Sequence, residues 1–179
     1  MTMKKILFLA ALALLASCQK NDDDTFQDED RKEQNKALQN ELTSNKDGWK
    51  LTYIAEDGST GGYQFLMKFG DDGTVTMTSD ISSTTTPTAT SYSTQEKNGA
   101  LVLSFIGQNY LHQLADAIKG NAANGLSGKV YQFQYAGKEG NNLKFLNLLK
   151  SSKPTLVFEP ATANDWSNID AFVANLNPI

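Results

Sequence analysis

The spacing of hydrophobic residues changes early in the chain from that of a helix to that of β-strands. Within residues 25–44, Leu38 and Leu42 lie one helical turn apart, and the other side of the segment is charged. Thr25 and Asp28 have the spacing of a capping box, in which side chains satisfy the first free amides of a helix. We therefore predict an amphipathic N-terminal helix over residues 25–44.

From Trp49 onward, apolar and polar residues alternate in short segments. A period of two is typical of antiparallel strands that bury one face. The segments Gly70-Asp71-Asp72-Gly73 and Lys97-Asn98-Gly99 are predicted hairpin turns. The apolar positions of the eight predicted strands are, in chain order, Trp49/Leu51/Tyr53, Tyr63/Phe65/Met67/Phe69, Val75/Met77, Tyr92, Leu101/Leu103/Phe105, Tyr131/Phe133/Tyr135, Leu143/Phe145 and Leu156/Phe158.

Eight short strands at close spacing predict a mainly β fold, an antiparallel meander that forms a barrel or a strongly curved sheet. Closure would remove exposed sheet edges, and a two-sheet sandwich is the alternative. Residues 82–90 are a predicted Ser/Thr-rich loop, and residues 164–176 a predicted short helix that covers one end. With a helical insertion at 106–128, we predict a single β-rich domain over residues 45–179.

The insertion at 106–128 is a candidate functional segment because long connections are often lids or binding loops. Helical spacing places Leu111, Leu114 and Ile118 on one stripe, with Tyr110 and His112 beside it. Two interpretations stay open. The segment is either a lid over a ligand cavity, with Tyr110 and His112 at the rim, or a helix that plugs one end of the barrel.

The aromatic residues at the apolar positions of the predicted strands also allow two interpretations. They form either a packed core or a barrel interior with room for one apolar or aromatic-stacked ligand. The candidate ligand-binding residues are Tyr110, His112, Trp49, Tyr63, Phe65, Tyr131 and Phe133.

Residues 1–17 have the features of a secretory signal peptide, with Lys4 and Lys5 followed by an apolar stretch that is too short to span a bilayer. The run Leu15-Ala16-Ser17-Cys18 matches the bacterial lipobox, in which the cysteine thiol receives a diacylglycerol and the chain is cut before it. Cys18 is the only cysteine in the chain, and lipidation explains a lone thiol in an exported protein. We predict that Cys18 is the lipid anchor.

Residues 18–24 are predicted to form a lipidated acidic tether. The run Asp22-Asp23-Asp24 is repelled by anionic lipid, so it is not a membrane-binding patch. A lysine followed by acidic residues after the lipidated cysteine resembles the surface-export signal of Bacteroidota lipoproteins. That resemblance implies a lipid-anchored protein of the outer membrane that faces outward.

Composition excludes several classes of function. The net charge is −4, and it becomes −6 once the two lysines of residues 1–17 are removed; an acidic chain without a basic cluster argues against nucleic-acid binding. One cysteine and one histidine leave no thiolate or multi-histidine metal site, so we predict no metal and no cofactor.

His112 and Asp116 have helical i, i+4 spacing, which is usually a surface pair. The chain has no Gly-x-Ser-x-Gly elbow, and we predict no enzymatic activity.

An ordered set of short motifs resembles a known family of Bacteroidota lipoproteins, domain of unknown function 4302. The motifs are Gly48-Trp49-Lys50, Gly61-Gly62-Tyr63, Met67-Lys68-Phe69, Leu103-Ser104-Phe105 and Tyr110-Leu111-His112. The resemblance implies an outer-membrane lipoprotein that accompanies a nutrient-uptake system, and it implies no activity. The start of the meander also resembles lipocalin-like domains, an analogy of fold alone.

The sequence thus predicts a lipid-anchored accessory binding component of an uptake system. Its partners would be the membrane, through Cys18, an outer-membrane transporter, and a small apolar or glycan ligand. One alternative is a structural or adhesive surface protein without a small ligand, and another is a glycan or peptide hydrolase.

Overall fold

The computed structural model describes residues 22–54, 62–81, 85–114, 131–148 and 155–176, and of residues 22–28 and 170–176 it describes the backbone. The predicted signal peptide, Cys18 and Asp116 lie outside these ranges. The elements are α1 (Asp22–Ser44), β1 (Trp49–Ile54), β2 (Gly62–Phe69), β3 (Thr74–Ser79), β4 (Thr88–Lys97), β5 (Ala100–Ile106), α2 (Tyr110–Gln113), β6 (Gln132–Glu139), β7 (Asn142–Asn147), β8 (Thr155–Pro160) and α3 (Ala163–Leu176).

The eight strands form a closed antiparallel barrel in which each strand pairs with the next along the chain. The first and last strands close it, with Lys50 of β1 opposite Glu159 of β8. The mainly β prediction is therefore confirmed in its barrel form. Asn98 (φ 53°) and Gly99 (φ 78°) form the predicted β4–β5 turn, whose positive φ values suit asparagine and glycine.

Side chains from the strands fill the interior of the barrel. Phe133 lies centrally, with its ring centroid 5.7 Å from that of Phe105, 6.0 Å from Phe158 and 6.4 Å from Phe145. These four residues belong to one buried cluster that includes residues of all eight strands. Ring pairs at such distances and tilts add to the stability that apolar burial provides. The alternation in the sequence therefore corresponds to a packed core.

Helix α1 lies across the barrel end where β1 begins. Leu38 and Leu42 are buried in the core cluster, and the Asn35 side chain donates to the Thr94 carbonyl of β4 at 2.9 Å. The backbone of the helix extends over Asp22–Ser44, three residues further toward the N-terminus than predicted.

Helix α2 closes the opposite end. Leu111 and Leu114 are fully buried in the same core cluster as the strands. The described part of the insertion, up to residue 114, therefore packs into the end of the core, as the plug interpretation requires. Ile118 and the rest of 115–130 lie outside the described residues.

Helix α3 packs on the outer wall of the barrel instead of covering an end, which corrects the sequence prediction. Its Ile169 is buried with Leu66 of β2 and Ala161, a cluster separate from the interior core. Leu66 is an outward position that is nevertheless apolar, and it provides the surface on which the helix lies. The predicted loop over residues 82–90 is also too long. Strand β4 begins at Thr88, and Thr88 and Thr90 pair with residues of β3.

Candidate functional site

The α2 end of the barrel carries the histidine that the sequence analysis singled out. Asn109 is the N-cap of α2, and its Oδ1 accepts a hydrogen bond from the Leu111 amide at 3.0 Å. This bond identifies the amide oxygen, so the His112 Nδ1 atom, 2.9 Å from the same oxygen, must carry a proton and donate. The neutral imidazole therefore keeps Nε2 unprotonated and able to accept a hydrogen bond.

The imidazole of His112 stacks on the ring of Tyr131, with centroids 5.0 Å apart and planes 11° from parallel. Burial lowers the pKa of His112, because the charged form loses hydration. At neutral pH the ring is thus uncharged. Asn109 and Tyr131 hold it in place at the α2 end of the barrel, where its Nε2 atom can accept a hydrogen bond. Its predicted partner Asp116 lies outside the described residues.

Tyr110 has a structural partner. It is buried, and its hydroxyl donates to the Thr86 carbonyl at 2.6 Å, so it ties α2 to the connection between β3 and β4. The other candidate residues fall into two groups. Trp49, Phe65 and Phe133 are buried within the core cluster, whereas Tyr63 and Tyr131 are half-buried and pack against it.

The outer wall of the barrel carries a groove among the described residues. Its volume is about 390 Å³, within the range of small-ligand sites. Lys68 and Thr76 are directly opposite each other on β2 and β3, and both occupy outward positions between buried neighbours. The groove is lined by Asp47, Lys68, Thr76, Pro87, Ala163 and Trp166.

Specific hydrogen bonds hold the α3 side of this groove. The indole Nε1 of Trp166 donates to the Asp47 carbonyl at 2.7 Å. At the start of the helix, the Asp165 carboxylate accepts from the Thr162 amide and hydroxyl, at 2.8 and 2.7 Å, while the Asp165 amide donates back to the Thr162 hydroxyl. This reciprocal cap fixes where the helix begins and so positions Trp166 beside the strands.

Lys50 completes the attachment of α3. Its ammonium lies 3.3 Å from Asp165 and 3.8 Å from Glu159. Burial alone would raise the pKa of Asp165, but hydrogen bonds from Thr162 and the charge of Lys50 lower it overall. The carboxylate is therefore ionised at neutral pH and paired with Lys50.

The charges in the groove are distributed unevenly. The Asp47 carboxylate is 2.6 Å from the Lys46 ammonium, so this acid has its own counter-ion. Lys68 is exposed, and no carboxylate in the described ranges lies within ion-pair distance of it. The groove thus combines an aromatic wall with a hydroxyl, an ammonium and a carboxylate that is paired with Lys46.

Asp80 is a buried acid at the end of β3. Its Oδ1 accepts from the Gln64 amide at 2.8 Å, while its Oδ2 is buried and has no hydrogen-bond partner in the described part of the chain. Burial raises the pKa of Asp80 to about 6, against the lowering effect of the Gln64 hydrogen bond. The carboxyl therefore titrates close to neutral pH.

The described ranges contain neither a metal-binding cluster nor a helix that could span a membrane. There, no group of three or more histidine, cysteine, aspartate or glutamate residues is placed to hold a metal ion. None of the helices in those ranges has the length and apolar character that crossing a bilayer requires.

The sequence analysis missed the groove. Lys68 and Thr76 have the ordinary pattern of outward strand positions, and Trp166 was expected only to cover an end. The one signal that could have marked the site is the capping-box spacing of Thr162 and Asp165, which places Trp166 in the first turn of a helix.

Comparison with known proteins supports the resemblance seen in the motifs. No curated protein and no solved structure matches the chain significantly. The profile of one family, described as a domain of unknown function, matches residues 22–177, which includes every described element. The chain therefore belongs to the DUF4302 family.

Proposed function

We propose that this protein is a lipid-anchored accessory binding component of a nutrient-uptake system at the outer membrane, and that it binds its ligand on the outside of the barrel. The observation that carries the proposal is the groove between α3 and the β2–β3 wall, which pairs the fixed indole of Trp166 with the polar groups of Lys68 and Thr76.

Because side chains fill the interior of the barrel, a ligand site on the outer surface is favoured. Leu42 from one end and Leu114 from the other are both fully buried in the cluster that contains Phe133. A ligand inside the barrel would have to displace side chains from a close-packed core, and emptying a large apolar position costs about 2–5 kcal/mol. An external site has no such cost.

The chemistry of the groove favours a sugar ring. A pyranose has an apolar face of C–H groups and a rim of hydroxyls, so it can pack on an indole while it hydrogen-bonds to polar neighbours. In this groove Trp166 supplies the aromatic surface, and Thr76 and Lys68 supply polar groups. A purely apolar ligand would cover the polar groups of Lys68 and Thr76 without forming hydrogen bonds to them.

The position of α1 supports an anchored protein. The helix begins at Asp22, so the link from Cys18 is at most about 14 Å long. From Arg31, which lies 3.3 Å from Glu96 of β4, the helix contacts the barrel. A lipid on Cys18 would therefore hold the barrel close to the membrane, where a transporter partner could receive the ligand.

An oligosaccharide array probed with the detergent-solubilised lipoprotein tests this proposal. Ala163 is exposed in the groove, so Ala163→Trp fills the site without removing a buried contact. We expect the wild-type protein to retain oligosaccharides of at least one class, and this variant to weaken the binding by about tenfold or more.

Asn164→Trp is the matched control, because Asn164 is the exposed neighbour that does not line the groove. It should bind like the wild type. The proposal is wrong if no oligosaccharide is retained, or if a folded Ala163→Trp protein binds as tightly as the control.

A further inference from the structure

Three of the five lysines on the barrel strands have a carboxylate partner, whereas Lys68 and Lys97 have none among the described residues. Lys50 pairs with Asp165, Lys138 lies 2.7 Å from Glu41, and Lys144 lies 2.6 Å from Glu139. Lys68, in contrast, lies in a groove with no carboxylate of the described residues within 4 Å. Among the described residues, its ammonium therefore has no counter-ion.

The acid in the same groove, Asp47, is paired with a different lysine. The carboxylate of Asp47 is held by Lys46 at 2.6 Å, and the Asp47 carbonyl accepts the Trp166 indole hydrogen bond. Both oxygen-bearing groups of Asp47 are thus already engaged within the chain. Lys68 is thus the charged group of the groove lining that could meet an anionic ligand without losing an ion pair to another described residue.

We infer that the groove selects an acidic sugar, a uronic acid unit whose carboxylate pairs with Lys68 while its ring packs on Trp166. This inference rests on the proposed function, because it requires the groove to be the sugar site. The Thr76 hydroxyl, on the residue directly opposite Lys68 in the strand ladder, hydrogen-bonds to a ring hydroxyl of the same unit.

The charge pair should decide between an acidic sugar and its neutral counterpart. Packing on the indole is common to both, so it contributes affinity without discrimination. An ion pair is weak when fully exposed, but a hydrogen bond to a charged group that the ligand partly covers is stronger than a neutral one. We expect the acid to bind about tenfold more tightly than its ester.

The test is calorimetric titration of the detergent-solubilised lipoprotein with trisaccharides of galacturonate, glucuronate and mannuronate, each beside its methyl ester. The ester keeps the ring and removes the charge. One acid should bind better than its ester, and added salt should reduce the difference, because salt screens the charge pair.

Three variants identify the cation that is responsible. Lys68→Gln should lose the preference for the acid and still bind the ester, whereas Lys68→Arg should keep the preference because it keeps the charge. Lys97→Gln, at an exposed position at the end of β4 and outside the groove, is the matched control and should behave like the wild type.

The outcomes separate this inference from the proposed function. Equal binding of acid and ester, or a preference that survives in Lys68→Gln, overturns the acidic-sugar inference. If Ala163→Trp still abolishes binding of a neutral sugar in that case, the groove remains the binding site. Failure of all the acids, all the esters and the neutral oligosaccharides to bind overturns both proposals.

Discussion

The indole Nε1 of Trp49 donates a hydrogen bond to the carbonyl of Leu42 at 2.8 Å, and both residues are buried. The bond joins the last turn of α1 to the first residue of β1. A C-terminal helix carbonyl has no partner within its own helix, so the indole satisfies an acceptor that would otherwise be buried without one. The same side chain fills the barrel end, where it helps to keep α1 in place.

This relationship predicts a graded loss of stability. Trp49→Phe should keep most of the packing and lose the hydrogen bond, at a cost of about 1–3 kcal/mol. Trp49→Ala should also leave a cavity, at a cost of about 3–5 kcal/mol. Urea unfolding followed by circular dichroism measures both. The control is Ile54→Ala at a position that is 65% exposed, which should change stability by less than about 0.5 kcal/mol. A loss below about 1 kcal/mol for Trp49→Ala would contradict this account.

Asp80 predicts an unusual pH dependence of stability. Its pKa is about 6 in the folded protein and has the ordinary value of 3.8 when the chain unfolds. Between these values the folded state holds a proton that the unfolded state releases, so this group's contribution to stability falls as the pH rises from about 4 to 6. Asp80→Asn keeps an acceptor for the Gln64 amide and removes the charge. It should therefore raise the free energy of unfolding at pH 7 and have little effect at pH 4.

The difference between the wild-type and Asp80→Asn profiles isolates this group. His112 has a lowered pKa and changes stability in the opposite sense below pH 6.5, but it is present in both proteins. Asp72 provides a control of opposite sign, because hydrogen bonds from Thr74 lower its pKa. Asp72→Asn should lower stability at pH 7. Identical profiles for the wild type and Asp80→Asn would show that the buried carboxyl is not destabilised by its charge.

If Cys18 carries the lipid anchor, its removal should detach the protein from the membrane. Cys18→Ala removes the only thiol in the chain, and with it the site for the diacylglycerol. An unlipidated chain loses about 0.8 kcal/mol of membrane affinity for each methylene that no longer inserts, so it should be released from membranes. Carbonate washing and immunoblotting of membrane fractions measure this, with Ser17→Ala as a control that leaves the thiol. Retention of Cys18→Ala in washed membranes would contradict lipidation.

Most strands could be predicted from sequence because they have an alternating pattern of their own, whereas β4, with Tyr92 as its one buried residue, does not, and its first residues were predicted as loop. Phe65, Met67 and Phe69 face inward, and their polar neighbours mostly face outward, as the period of two requires. Whether the interior is filled could not be predicted. A barrel around a ligand and a barrel around a packed core show the same alternation, and only the sizes and positions of Phe133 and its neighbours distinguish them.

The groove could not be predicted for a different reason. Lys68 and Trp166 are almost a hundred residues apart, and no local pattern states where α3 returns to the barrel. Its attachment depends on three separate features: the outward Leu66, the Lys50–Asp165 pair and the indole bond to Asp47. Each is unremarkable in the sequence, and together they form one wall of the site.

The role of α2 gives the last prediction. Leu114 is fully buried in the core, whereas His112 is half-buried and stacks on Tyr131 at the rim. If α2 is a plug, Leu114→Ala should cost about 2–5 kcal/mol, because it opens a cavity in a packed interior. His112→Ala should cost only about 0.5–1.5 kcal/mol, the contribution of a ring pair.

Urea unfolding measures the stability of both variants, and sugar binding provides the second measurement. Neither variant should change binding in the outer groove, since neither residue lines it. Ile106→Ala, at a position that is 52% exposed just before α2, is the control and should be close to neutral. A stable Leu114→Ala protein that loses sugar binding would mean that α2 belongs to the binding site after all, and that the sugar enters through the α2 end of the barrel.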